Sequence, residues 1–298
     1  MRYFPYFRGR QYDLRALQAF AQTPFNNITP IIEPVRDIPA LPQTLTDFIQ
    51  ADQPIALVLN PRVGHYHFDA PAKHPIQSVL ATGAVTPAFI LSPLLPPEQL
   101  VAHPTAIVIV QHFDDLALFL ARDWLPETLT LLVPPEARIR RQLRGRPFGH
   151  LVDHFVPGEY APDTGQLMDS FFSDDRSFAA TFGEIGFSDF LTVGQPYSEH
   201  GFPTKAVTLH LTYLKDGRVR IRHFQSDDHA DFRHQREKFF QALIKAVMWI
   251  NQAPTINQTP ATDQLLTLAN EHHFPGMGII KALTLTHHLT MMNRYLNY

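Results

Sequence analysis

The sequence contains no cysteine, which removes disulfides, thiolate metal sites and cysteine nucleophiles together. It lacks a strong excess of either charge. A formal charge of −3 and an isoelectric point near 6.6 exclude a broad basic surface for nucleic acid and leave room only for a local basic patch. No stretch approaches the roughly 18 uninterrupted apolar residues of a spanning helix. The first residues, MRYFP, lack the apolar core of a signal peptide, so a cytoplasmic protein is expected. G-x-G-x-x-G, P-loop and G-x-S-x-G signatures are all missing, which leaves dinucleotide binding, P-loop NTPase and serine-hydrolase readings without support.

What is there is a chain of 298 residues, 45% hydrophobic, long enough to bury a full core. Its 26 prolines punctuate short aliphatic runs. These runs lie at 28–35 (ITPIIEPV), 54–60 (PIALVLN), 86–92, 105–111 (TAIVIVQ), 128–133, 150–156 and 189–194. Continuously apolar runs read as parallel strands buried on both faces. Helical stretches at 42–52, 114–124, 136–144 and 174–185 lie between them, which gives βαβ units. Residues 3–7 with a helix over 11–21 add one more unit at the front. Eight strands predict a (β/α)8 TIM-like barrel over residues 1–254, with an open doubly wound sheet as the competitor.

The pattern changes after Gly194. Runs at 206–214 and 218–224 flank Asp216-Gly217, a type I′ hairpin signal. That turn sets Lys215 opposite Arg218, Leu214 opposite Val219, Thr212 opposite Ile221 and His210 opposite His223. The face with Leu214, Val219, Thr212, Ile221 and the histidines is expected inward. Tyr213, Arg220, Leu211 and Arg222 take the other face. The hairpin is expected as an insertion near the end of the barrel. A helix over 229–251, a linker at 255–260 and two helices at 263–272 and 277–298 follow. Residues 255–298 therefore read as a helical extension.

In a barrel, chemistry sits at the C-terminal strand ends. Glu33 lies inside a buried-looking strand, where a carboxylate is costly unless paired; it is a general base, metal ligand or anchor, or else a structural partner of Arg8, Arg10 or Arg36. Arg8, Arg10, Arg36 and Arg62, with Asn60, would line one mouth, and arginine forks suit phosphate or carboxylate. His65-x-His67 resembles a metal-binding pair but sits in a loop after Pro61 and Gly64. His112, His154, His210 and His223 are candidate metal ligands; capping and core aromatics explain His112-Phe113-Asp114-Asp115 equally well. His210 and His223, paired across strands, imply neutral rings, a bound cation or an intervening carboxylate. With Asp227, they are candidates for acid–base work.

The runs Tyr6-Phe7-Arg8-Gly9-Arg10-Gln11, Ile31-Ile32-Glu33-Pro34-Val35-Arg36, Phe172-Ser173-Asp174-Asp175, Gly186-Phe187-Ser188-Asp189-Phe190 and His223-Phe224-Gln225-Ser226-Asp227 resemble the "beta protein" family of bacteria and phages, over residues 3 to about 250. The resemblance implies that Arg8, Glu33, His210, His223, Ser226 and Asp227 belong to a shared pattern, with a setting in phage defence or mobile elements. Arg10 and Arg36 stand where lysine is commoner in that family. The expected function is binding of an anionic, phosphate-bearing ligand, a nucleotide or nucleic-acid end. Phosphodiester hydrolysis with a divalent metal would extend it. The alternative is a non-enzymatic sensor, antitoxin-like subunit or scaffold with a protein partner encoded nearby.

Overall fold

The structure, a computed structural model, describes residues 1–156, 168–199 and 204–297. It divides into two compact units, one formed by Met1–Asp153 with Asp175–Phe190 and one by His154–Asp174 with Leu191–Tyr298. The expected division at residue 254 differs from this, because the hairpin and the C-terminal helices share one core.

The first unit is an α/β fold around a nine-stranded parallel sheet. Its strands are β1 (Arg2–Tyr3), β2 (Tyr6–Phe7), β3 (Ile31–Ile32), β4 (Ala56–Val58), β5 (Thr86–Ile90), β6 (Ile107–Ile109), β7 (Thr130–Val133), β8 (Phe148–Val152) and β10 (Gly186–Asp189). The order runs β1-β10-β8-β7-β6-β5-β4-β3-β2. By its pairing the sheet is open, curled into a half-barrel. Its terminal strands β1 and β2 are consecutive in the chain, parted by Phe4 and Pro5. Pro5 has no N–H to give a ladder, so the single strand expected over 3–7 is broken there.

Most of the strands are short and apolar on both faces because both faces are covered, while β8 and β10 bury the polar His150, Ser188 and Asp189. Phe4, Tyr6, Ile31, Ala56, Val58, Ala88, Ile90, Ile107, Ile109 and Leu132 form one cluster on the concave side. Phe89, Val108, Leu131 and Val133 alternate with them and pack on α4 (Pro97–Ala102), α5 (Phe113–Ala121) and α6 (Ala137–Gln142). Burying one such side chain contributes about 1.5–3 kcal/mol. α1 (Gln11–Ala21), α2 (Ala40–Gln50), α3 (Gln77–Leu80) and α7 (Asp175–Phe182) complete the unit. Most predicted strands and helices recur near their expected bounds, but the strand expected at 189–194 is β10 at Gly186–Asp189 instead, and the helix expected from residue 229 begins at Gln235.

The second unit holds a three-stranded antiparallel sheet in the order β11-β12-β9, with β9 at Asp169–Ser173, β11 at Thr208–Lys215 and β12 at Arg218–Gln225. The hairpin register is the expected one, from Thr208 opposite Gln225 to Lys215 opposite Arg218. Asp216 and Gly217 both have positive φ, 52° and 71°, as a type I′ turn requires. The hairpin belongs to this sheet and is not an insertion in the first one. Both of its faces are covered, which corrects the expectation of one inward face. Leu209, Leu211 and Phe224 pack with α8 (Gln235–Ile250), and Tyr213 meets Trp249 of that helix with rings 5.5 Å apart. On the opposite face, Thr212 bonds α10 (Met277–Asn297). α9 (Pro260–Asn270) is capped by Thr259. Tyr298, the expected last residue of α10, lies outside the described residues.

Candidate functional site

At the C-terminal end of β3, Glu33 is fully buried, and its carboxylate is shared among three donors. The Tyr6 hydroxyl donates to Oε2 at 2.8 Å and the Arg8 guanidinium pairs with the same oxygen. The backbone N–H of Arg62 donates to Oε1 at 2.7 Å. The Arg8 guanidinium also lies 5.2 Å and 5.4 Å from the Tyr6 and Phe190 ring centres. Of the three arginines expected as partners, Arg8 is the one that pairs. Arg10 instead binds Asp13 in the first turn of α1, Nε to Oδ2 at 3.0 Å, and Arg36 is exposed after β3.

Two glycines let the loops close on Glu33. Gly9 has φ +59°, and a Cβ there would sit 2.9 Å from the Glu33 carbonyl oxygen. Gly64 has φ +77°, and a Cβ would strike the Val35 carbonyl. The next residue, His65, donates its N–H to that carbonyl at 2.8 Å. The loop after β4 is thereby pinned at Arg62 and at His65. A carboxylate whose two oxygens are already engaged by the scaffold is built to hold that loop.

The pinned loop lines a cleft of about 530 Å³ beyond β4 and β5, within the size range of small-ligand sites. Arg62 and His67 are exposed there beside Asn60, Tyr66 and Phe89. One arm of the Arg62 fork donates to Ser92 Oγ. The Asn60 amide staples β4 to β5, donating to Ile90 O at 2.9 Å and accepting from Ile90 N at 2.8 Å. His65-x-His67 is not a strand pair: Tyr66 between them is buried, with its ring against Phe68.

His210, His223 and Asp227 belong to the second unit. The two rings meet Nδ1 to Nδ1 at 2.9 Å, so one nitrogen donates and the other accepts, and both rings are neutral. Burial, with the neighbouring ring second, pushes His210 down to about 3. Burial also pushes His223 down to about 4 against the pull of Asp169, and its Nε2 lies 3.2 Å from Ser170 Oγ. Asp227 is exposed and pairs with Lys245 Nζ at 2.7 Å. Ser226 is buried, accepting from Val207 N at 3.1 Å. His154 lies 5.6 Å from the Phe172 ring, and His112 is exposed at the start of α5.

Sequence reasoning missed a buried trio in the first unit. His150 of β8 has Nδ1 2.5 Å from Glu184 Oε2 and Nε2 3.2 Å from Asp175 Oδ1. Arg140 binds the other Glu184 oxygen at 2.8 Å. Burial alone would lower the His150 pKa, but the two carboxylates outweigh it and hold the ring charged, with a pKa raised to about 9. Nothing in the sequence spacing ties Asp175 to residues 150 and 184.

Among the described residues no group of three or more His, Asp or Glu has the arrangement to hold a metal ion, and no helix is long and apolar enough to cross a membrane. No protein-family model matches the chain, and no curated protein matches its sequence.

Proposed function

We propose that the first unit binds a phosphate-bearing ligand, a nucleotide or nucleic-acid end, in the cleft beyond β4 and β5, with Arg62 as the anion contact. The observation that carries this reading is the pinning of the Arg62 backbone by the buried Glu33. An exposed guanidinium on a loop fixed from below is preorganised for bidentate anion capture. Apolar Tyr66 and Phe89 beside polar Asn60 and His67 suit a ligand with a ring at one end and charge at the other.

The reading favours binding over hydrolysis. Glu33 is committed to Arg8, Tyr6 and the Arg62 N–H, and His210 is committed to His223. This leaves the expected base and acid engaged in structure, as a sensor or scaffold in a defence module would have them. The proposal includes kinship with the beta protein family. It also includes closure of the curled sheet as an eightfold barrel, with Arg2–Phe7 counted as one strand. That closure is supported by β1 pairing with β10 while β2 pairs with β3.

The test is thermal and urea stabilisation by inorganic pyrophosphate and by nucleoside 5′-triphosphates. A ligand at a hundredfold its Kd stabilises by about 2.7 kcal/mol, and Arg62→Ala should abolish the effect. Failure of every probe to stabilise the wild-type chain, or full stabilisation of Arg62→Ala, would overturn the reading.

A further inference from the structure

The same unit carries a second charged feature along α6 and the turns that lead into β8 and β10. Within residues 137–146 the sequence reads ARIRRQLRGR, five arginines in ten positions, in a chain whose formal net charge is −3. Those five, Arg138, Arg140, Arg141, Arg144 and Arg146, line a single cleft of about 750 Å³ together with Phe182, and no acidic residue lines it.

The arginines divide by what holds them. Arg140 is fixed by Glu184 at 2.8 Å and lies 4.5 Å and 4.6 Å from the Phe178 and Phe182 ring centres. Arg146 is fixed by the carbonyls of Leu125 and Pro126 at 2.8 Å and 3.4 Å. Arg138 pairs with Glu136 and lies 4.1 Å from the Phe113 ring centre. Arg141 and Arg144 are exposed and make no hydrogen bond or ion pair among the described residues. Arg138, Arg141 and Arg144 recur every third residue along α6 and the turn after it, so they run as a row. Phe182, at the end of α7, is 51% exposed, which leaves an aromatic ring at the wall of an arginine-lined channel.

We propose that this groove binds single-stranded nucleic acid. Guanidinium forks bind phosphates bidentately and also stack on bases. An exposed aromatic ring among them supplies the stacking platform that single strands use and duplexes cannot reach. An acidic peptide would use the charge but have no need of the ring. The groove is independent of the Arg62 cleft, since no residue lines both.

The experiment is fluorescence anisotropy of a labelled 15-nucleotide oligo(dT) with the full chain at 50 mM salt and above. Wild-type protein should bind. Arg141→Glu with Arg144→Glu should weaken binding at least tenfold, with unchanged circular dichroism. Neutral replacement of the same two residues by glutamine should lower the slope of log K against log salt by about 1.4. Phe182→Ala should cost fivefold or more. No binding by the wild-type chain would overturn the proposal, as would binding indifferent to the arginine changes. So would poly-glutamate competing as well as unlabelled oligo(dT) while Phe182→Ala is neutral, which would assign the groove to an acidic protein.

Discussion

Lowering the pH from 7.5 to 5 should weaken the second unit and strengthen the first. In the second unit His287 and His288 of α10 are fully buried. His287 donates from Nε2 to the Thr212 carbonyl at 2.7 Å and accepts at Nδ1 from the Thr259 hydroxyl at 2.9 Å, so the neutral ring fits its site. Burial pushes His287 down to about 4, partly opposed by the Thr212 bond and aided by Arg294. Burial also pushes His288 down to about 3, with help from His287 and His154. Unfolded, both titrate near 6.5. Between that value and the folded one the unfolded chain binds more protons, so stability is present above about pH 6.5 and drains away as the pH falls. Each ring then costs about 2 kcal/mol at pH 5, so this pair contributes about 4 kcal/mol to the acid weakening, and His210 and His223 add to it in the same sense. With a urea slope of about 2 kcal/mol per molar, the His287 and His288 pair lowers the midpoint by about 2 M, the share that its replacement should remove.

His150 in the first unit has the opposite sign. Its pKa is raised to about 9, so its stabilisation is complete below about pH 6.5 and lost as the pH climbs through 9. Acidification to pH 5 adds about 1 kcal/mol there. The chain has two tryptophans, Trp124 in the first unit and Trp249 in the second, so each unit has its own fluorophore. Urea unfolding of Trp124→Phe reports the second unit, and Trp249→Phe reports the first. A Trp249 midpoint that ignores pH would refute the reasoning. So would an acid shift that survives intact in His287→Gln with His288→Leu.

Glu33→Gln leaves Arg8 buried without its counter-charge and should cost about 3–5 kcal/mol in the Trp124 transition. Adding Arg8→Met should return part of that loss, and a double variant no better than the single would deny the pairing. Gly64→Ala places a Cβ against the Val35 carbonyl at φ +77°. It should destabilise the first unit by roughly 1–3 kcal/mol, read from the same transition, and abolish ligand stabilisation by the Arg62 cleft. His150→Phe leaves Glu184 and Asp175 facing an apolar ring and should remove the alkaline weakening of the first unit between pH 7 and 9, measured as a flat urea midpoint over that range.

How much of this was legible in the sequence depended on how local the cause was. The hairpin register followed from Asp216-Gly217, because a two-residue turn with both φ positive permits one pairing. The strands β3 to β8 followed from aliphatic runs that bury both faces, whereas β10, GFSD, largely precedes the run at 189–194 expected to form it. Glu33 was legible as a carboxylate needing a partner, and Arg8 was among those named. β9 was not, since DSFFS shows little alternation and its partners on β12 lie about 50 residues further on. The His150 trio draws on a strand, a helix start and a loop, a grouping that no periodicity encodes. The arginine run is visible as a string, but the groove also needs Phe182, about 40 residues later.

The path of the chain through the two units bears on how it is made. β9 is synthesised before α7 and β10, which complete the first sheet, and before β12, its own partner, with β11 beyond it in the sheet. At about 5–20 residues per second on the ribosome, β9 waits several seconds with its edges bare. During that interval its exposed Phe171 and unpaired amides are open to any other extended segment. Slowed translation between codons 175 and 225 should therefore lower the yield of properly assembled protein more than an equal delay elsewhere.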